Sequence, residues 1–288
     1  MYVDSLRTMH ISTAEALGLG ASTIDSINGL LSELEKLLEG VKYIGELTPR
    51  TRDLLVSYGE RMSVRIVAGL LNKFGIPSQY FDSWNLGLVT TSAFGNAEIK
   101  EESYANIQGT LGKMDGQIVA VVTGFIGHDS QGRVTTLGRG GSDLSATVLG
   151  AAVGVDEIQV WKDVDGIMTT DPRLVKAALP VDTITYEEAA ELAFFGAEVL
   201  HPIAMQPAIR SGIPVRVKNS YNPQAAGTVI IARRDKSDTL VTAITAKNNV
   251  QVVDIVSTGM LGQFGFLAKV QVLVLSLIFL RNSNSFPL

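Results

Sequence analysis

The 288-residue chain contains no cysteine, which excludes disulfides and thiolate metal sites and fits a reducing compartment. It has no basic excess: 24 Lys and Arg stand against 29 Asp and Glu, for a net charge of −5. Nucleic acid is therefore not an expected partner. Long hydrophobic runs are missing too. The run "VQVLVLSLIFL", Val270 to Leu280, is well short of the roughly 20 residues a membrane-spanning helix needs, so no membrane partner is expected. The N-terminus, "MYVDSLRTMHISTAEALG", lacks the apolar core of a secretory signal, and with one Arg and two acidic residues before Leu17 it does not read as a transit peptide. The three histidines, His10, His128 and His201, share no metal-ligand spacing, and no Ser-His-Asp arrangement follows from position. There is no internal repeat and no low-complexity segment.

What is present is a globular composition, 46% hydrophobic, at a length suited to one large domain or a domain with a small appendage. Ile24, Ile27, Leu30, Leu31, Leu34, Leu37 and Leu38 fall at helical spacing, with Gly40 as a stop. Thr48 and Pro49 mark the start of a second helix, which the pair Gly59-Glu60 is expected to break in two. "IPSQYFDSWNLGLVTT" reads as a short strand and loop. "QIVAVVTGFIG" and "EIQVWKD" read as strands buried on both faces, the type found in parallel sheets. Thr185 and Glu188 form a capping box ahead of "YEEAAELAFFGAEVL", which His201-Pro202 is expected to end. "IPVRVKN" and "GTVIIA" are further strands. Strands alternating with helices predict an α/β domain with a mainly parallel sheet.

Between the first buried strand and a helix of small residues lies "TTLGRGGSDLSA", Thr135 to Ala146. A Gly-rich turn at a helix N-terminus gathers free N–H groups at one point, where the helix dipole favours an anion. Gly138, Gly140 and Gly141 let a ligand approach without a Cβ, and Arg139 adds a fork that matches carboxylate or phosphate. Asp143 is out of place in a pure anion site, and it suggests that a cation belongs there as well: a metal, a lysine or a substrate amine. The alternative is a tight connection in which the glycines serve geometry and Asp143 caps the helix. The loop is neither a P-loop nor a G-x-G-x-x-G fingerprint, and "GLGAST" at Gly18 lacks the preceding strand.

A second cluster, "VWKDVDGIMTTDPR", puts Lys162, Asp163 and Asp165 at the carboxyl end of a strand, where open α/β sheets bind ligands. Arg173 could meet phosphates there; the same stretch also reads as a solvated hairpin. Glu60, beside Gly59, is a carboxylate at the expected helix break, on its own a weak signal, since most surface glutamates do nothing.

Taken in order, "ELTPRTRDLLVSYGERMS", "TTLGRGGSDLSA", "VWKDVDGIMTTDPR", "EEAAELAFFGAEVLHP", "IPVRVKNSYNPQAAGT" and "STGMLGQFGFLAKV" resemble the aspartate kinases, in phrasing most like the plant single-function enzymes. The likeness runs from about Leu30 to Val270. It implies the amino-acid kinase fold, a mainly parallel sheet flanked by helices, followed by the start of an ACT-like α+β region. It also implies transfer of the γ-phosphoryl group of MgATP to the side-chain carboxylate of L-aspartate, the entry to lysine, threonine, methionine and isoleucine.

By the same resemblance Arg139 pairs with a carboxylate of aspartate, Gly140, Gly141 and Ser142 offer donors, and Asp143 holds the loop and its cationic neighbours. Glu60 matches a glutamate that contacts the substrate amino group. Lys162, Asp163, Met168, Arg173, Tyr221 and Asn222 fall at nucleotide positions, with Met168 where a tyrosine often stands. The implied cofactor is Mg2+ with ATP, the partners are ATP and aspartate, the assembly is a homodimer, and the location is plastid in a plant or cytoplasmic otherwise.

The resemblance divides the chain into a catalytic domain over 1–232, a linker over 233–248 and an incomplete ACT-like region over 249–288. The family's opening strand and its Lys-Phe-Gly-Gly-Thr-Ser loop have no match in this sequence, nor does a Ser-Ala-containing aspartate loop. The tail "QVLVLSLIFLRNSNSFPL" departs from the family and reads as an alternative exon or read-through. A chain that only binds nucleotide, or pairs with intact subunits, is the alternative function.

Overall fold

The structure is a computed structural model that describes residues 2–197, 200–235, 241–246, 265–266, 268–272 and 274. The chain divides into two compact units, Met1–Ala246 and Lys247–Leu288. In the second unit residues 268–272 are helical, and the expected ACT-like region otherwise lies outside the described residues. No helix among the described residues is long and apolar enough to cross a membrane.

The first unit opens with three helices, α1 (Tyr2–Ala16), α2 (Ala21–Ile44) and α3 (Pro49–Lys73). Their apolar faces meet in a core where Ile27, Leu30, Leu31 and Leu34, among the residues whose spacing marks α2 in the sequence, pack with Tyr58 and Met62 of α3. Thr48 caps α3, accepting from the Thr51 N–H at 3.1 Å, with Pro49 in the first turn. The expected break at Gly59-Glu60 does not occur, and α3 runs straight through it. Ser57, Tyr58, Met62 and Val64 are buried on both sides of Gly59, and that packing outweighs the roughly 1 kcal/mol a mid-helix glycine costs.

The strands form three sheets. β1 (Ser78–Phe81) pairs in parallel with β3 (Val119–Val122). β2 (Val89–Thr90) pairs in parallel with β4 (Ile126–Asp129), which pairs antiparallel with β5 (Val134–Thr136). The third sheet has the order β6 (Ile158–Lys162), β8 (Val215–Asn219), β9 (Thr228–Ile231), β7 (Thr183–Thr185). Within it only the β8–β9 pair is antiparallel, so the mainly parallel character expected from the sequence holds. "QIVAVVTGFIG" is two strands rather than one. The chain turns at Phe125, whose φ of 66° ends the extended run, and β3 is left half-exposed at the edge of a two-stranded sheet. β6 likewise buries one face, Ile158 and Val160, while Trp161 is exposed.

Helices α4 (Glu102–Leu111), α5 (Gly141–Val153), α6 (Tyr186–Phe194) and α7 (Pro202–Ser211) complete the unit. The main core lies on one face of the third sheet, where Val160, Ile184, Val215, Val217 and Ile230 pack with Leu200 and Met205. α5 approaches β6 so closely that a Cβ on Gly150 would stand 2.6 Å from the Ile158 side chain. The Thr185–Glu188 capping box forms as expected. His201 does not end the helix before it; it caps α7, because Pro202 suits the first helical turn.

Candidate functional site

Two carboxyl strand ends and one helix start meet in this fold. The parallel register sets Lys162, the last residue of β6, opposite Asn219, the last residue of β8. Beyond Asn219 the chain turns back on β6, with both the Ser220 N–H (2.8 Å) and its hydroxyl (2.9 Å) donating to the Lys162 carbonyl. Asp165 then accepts from the side-chain amides of Asn219 at 2.8 Å and Asn222 at 3.1 Å. The stretches 162–165 and 219–222, remote in sequence, thus form one surface. Asn219 is buried and itself accepts from the Tyr221 N–H at 2.9 Å, which presents the Tyr221 ring almost fully to solvent. The sequence reading missed Asn219, which nothing but its place at a strand end could have signalled.

The glycine loop enters α5 beside this surface. Gly138 and Gly140 have φ of 73° and 74°, a backbone that other residues adopt at a cost of about 1–2 kcal/mol. Close approach adds to that demand. A Cβ on Gly138 would lie 2.5 Å from Asn96 Oδ1, and one on Gly140 would lie 2.6 Å from the His201 Cβ. Gly141 has the Phe125 ring at 2.9 Å from its notional Cβ. Phe125, held in its left-handed conformation by a bond from its N–H to Ser145 Oγ (3.0 Å), also escaped the sequence reading. No side chain caps α5; Gly140 occupies the cap and Asp143 sits in the first turn. Arg139 and Ser142 are exposed at this end, and among the described residues Arg139 has no ion-pair partner.

Asp143 finds its cation in Lys162: Nζ lies 3.4 Å from Oδ2, which makes the glycine loop and the strand-end cluster neighbours. The cation that the sequence reading expected beside Asp143 is the lysine of the second motif. Asp163 is exposed next to it. Met168 and Arg173 line a cavity of about 270 Å³ together with Val164, Ile167, Pro172 and Leu174, and Asp171 accepts from the Arg173 N–H at 2.8 Å. A larger cavity, about 410 Å³ along α6, contains none of the sequence-derived site residues.

Glu60 stands apart from these contacts. It is half-buried on α3, has no cationic partner among the described residues, and burial pushes its carboxyl pKa above the ordinary value. α3 packs on β5, the strand that leads into the glycine loop. Asp143, Lys162, Asp165, Asn219 and Asn222 are therefore joined by hydrogen bonds, an ion pair and strand pairing, whereas among the described residues neither Glu60 nor Arg139 makes a hydrogen bond or ion pair to any of them.

Residues 8–219 match the model of the amino acid kinase family. The chain is 51% identical over 268 residues to the chloroplastic aspartokinase 1 of Arabidopsis thaliana, covering 92% of this chain and 47% of that protein. It is 39% identical to the lysine-sensitive aspartokinase 3 of Escherichia coli, over 93% of this chain and 59% of the relative. The crystal structure of E. coli aspartokinase III with aspartate and ADP superposes with a TM-score of 0.73 at 36% identity, over 81% of this chain and 52% of that one. The same enzyme with lysine and aspartate gives 0.78 at 34% identity, over 95% and 61%. The chain spans about half the length of the curated relatives it matches. It belongs to the amino acid kinase family and has that family's fold.

Proposed function

We propose that this member of the amino acid kinase family is an aspartate kinase, transferring the γ-phosphoryl group of MgATP to the side-chain carboxylate of L-aspartate. The observation that carries the reading is the Asp143–Lys162 pair, which brings an anion-binding glycine loop against a cation at a strand end. The aspartokinase relatives, one of them with aspartate and ADP bound, supply the substrate class.

The chemistry suits such a site. A carboxylate oxygen attacks the γ-phosphorus in line, the bond from that phosphorus to the β,γ-bridging oxygen breaks, and its electron pair leaves with ADP. The products are ADP and 4-phospho-L-aspartate. The nucleophile is already ionised at neutral pH, so no general base is needed, and catalysis reduces to positioning and charge neutralisation. In this reading Arg139 pairs with a carboxylate of aspartate, the N–H groups and hydroxyl of Gly140, Gly141 and Ser142 donate to it, and Glu60 receives its ammonium. Lys162, oriented by Asp143, faces the phosphates. Asp163, Met168, Arg173, Tyr221 and Asn222 border the nucleotide.

Among the described residues no group of three or more His, Asp or Glu could hold a metal by itself. Mg2+ would enter with the nucleotide as MgATP, and the chemistry it would supply is neutralisation of phosphate charge. The chloroplastic relatives support a plastid location for the protein in a plant, and a homodimer belongs to the same proposal.

The test is aspartyl hydroxamate formation by the purified chain with MgATP, L-aspartate and hydroxylamine. Product above a no-aspartate control, abolished by Arg139→Ala, is the expected result. Folded protein that binds ADP but makes no hydroxamate would overturn catalysis and leave a nucleotide-binding chain.

A further inference from the structure

We propose that Asp53 is a positioning residue for the aspartate side of this site: its buried carboxylate fastens the loop 91–98 and the end of β5 to the helix that carries Glu60, and so fixes Arg139 relative to Glu60. The inference rests on the reading of the site given above.

Asp53 lies on α3 with 2% of its surface exposed and no cationic partner among the described residues. A buried carboxylate without a cation is costly unless donors saturate it. Here the donors come from two segments 42 and 83 residues away. Oδ2 accepts the Gly95 N–H at 2.8 Å and the Thr136 N–H at 2.9 Å, and Oδ1 accepts the Thr136 hydroxyl at 3.0 Å. The two segments are also tied to each other, since the Thr136 carbonyl accepts from the Ala97 N–H at 2.8 Å.

The positions of these partners give the carboxylate its role. Thr136 is the last residue of β5, and only Leu137 and Gly138 separate it from Arg139. Gly95 and Asn96 form the wall against Gly138, whose notional Cβ stands 3.3 Å from the Gly95 carbonyl and 2.5 Å from Asn96 Oδ1. On the other side, Asp53 and Glu60 are seven residues apart on one helix. That is two turns, about 10 Å along the axis, on the same side of α3. One carboxylate thus spans the base of the glycine loop, the wall beside it and the helix of the ammonium acceptor. Tight packing alone would be met as well by an apolar residue; what a carboxylate adds is the direction of three hydrogen bonds.

The variants separate geometry from charge. Asp53→Asn keeps an oxygen for both backbone N–H groups and can donate its amide to the Thr136 hydroxyl. Asp53→Ala leaves those two buried N–H groups without an acceptor. In the hydroxamate assay Asp53→Ala is expected to raise KM for L-aspartate by about tenfold or more while KM for ATP changes less than about twofold, and Asp53→Asn to return it to within about threefold. Amide exchange at 94–98 and 136–140 should quicken by about tenfold in Asp53→Ala and remain near wild type in Asp53→Asn.

KM values that stay constant or rise together, or an Asp53→Asn as impaired as Asp53→Ala, would overturn the proposal. If Asp53→Ala does not fold, Thr136→Val decides: an unchanged KM for L-aspartate overturns the proposal, and a rise of about threefold upholds it. Absence of hydroxamate from the wild-type chain would sink the kinase reading instead. Exchange would then judge Asp53 alone, with unaltered protection in Asp53→Ala as the contrary result.

Discussion

Lys162 Nζ stands 3.4 Å from Asp143 Oδ2, and this pair joins the helix start of the glycine loop to the end of β6. Both side chains keep between a fifth and a quarter of their surface in water, so the pair contributes little to stability. Its value is orientation. A lysine on a four-carbon stem samples many positions, and a carboxylate at the first turn of α5 restricts them to the region where phosphates would meet the loop.

Glu60 gives a pH dependence with a defined sign. Burial raises its pKa, so as pH falls through that value the carboxyl becomes neutral and loses its hold on a substrate ammonium. KM for L-aspartate should rise on the acid side, above the usual carboxylate range, while KM for ATP does not. Glu60→Gln should remove that limb and raise KM for L-aspartate by about ten- to a hundredfold, read from initial rates across pH.

Stability runs the other way for the same residue. A pKa raised on folding means the folded state holds the proton more tightly, so the group's stabilising contribution is present at low pH and lost as pH rises through the folded value. Glu60→Gln should therefore melt slightly higher than wild type at neutral pH, measured by calorimetry, while losing activity.

Gly140 is constrained twice, by a φ of 74° and by His201. Gly140→Ala should lower kcat/KM by at least about tenfold with the fold retained by circular dichroism. Adding His201→Gly should restore part of the loss, since the contact is relieved and the backbone strain is not.

Asp165 organises the far side of the site through Asn219 and Asn222. Asp165→Ala leaves the Asn219 amide buried without its acceptor, and the 219–222 turn should loosen. KM for ATP should then rise by about tenfold with KM for L-aspartate little changed, measured by varying each substrate at saturating levels of the other.

The sequence carried those features that depend on local chemistry. Thr48-Pro49, the Thr185–Glu188 box and the apolar spacing of α2 are short-range signals, and each forms its element, although α2 does not stop at Gly40 as read: it runs on to Ile44, and the left-handed Gly45 closes it. Asp143 could be read as wanting a cation because an acid in an anion loop is a local contradiction. The features that stayed hidden are set by tertiary contacts. Gly59 looked like a break because its neighbours' burial against α2 is not a local property. "QIVAVVTGFIG" looked like one strand because the turn is made by Phe125, a residue with no intrinsic preference for a left-handed backbone. Asp53 carries no local signal of its bonds, since its donors lie 42 and 83 residues away.

The central claim is that the glycine loop and the strand-end cluster are one site, and a double-mutant cycle on kcat/KM tests it most directly. Asp143→Ala and Lys162→Met should each lower kcat/KM by about a hundredfold, and the double variant should be little worse than the poorer single one, because each change removes the same arrangement. Losses that multiply, to about ten thousandfold in the double variant, would mean that the two residues act independently and that the site is not the composite described.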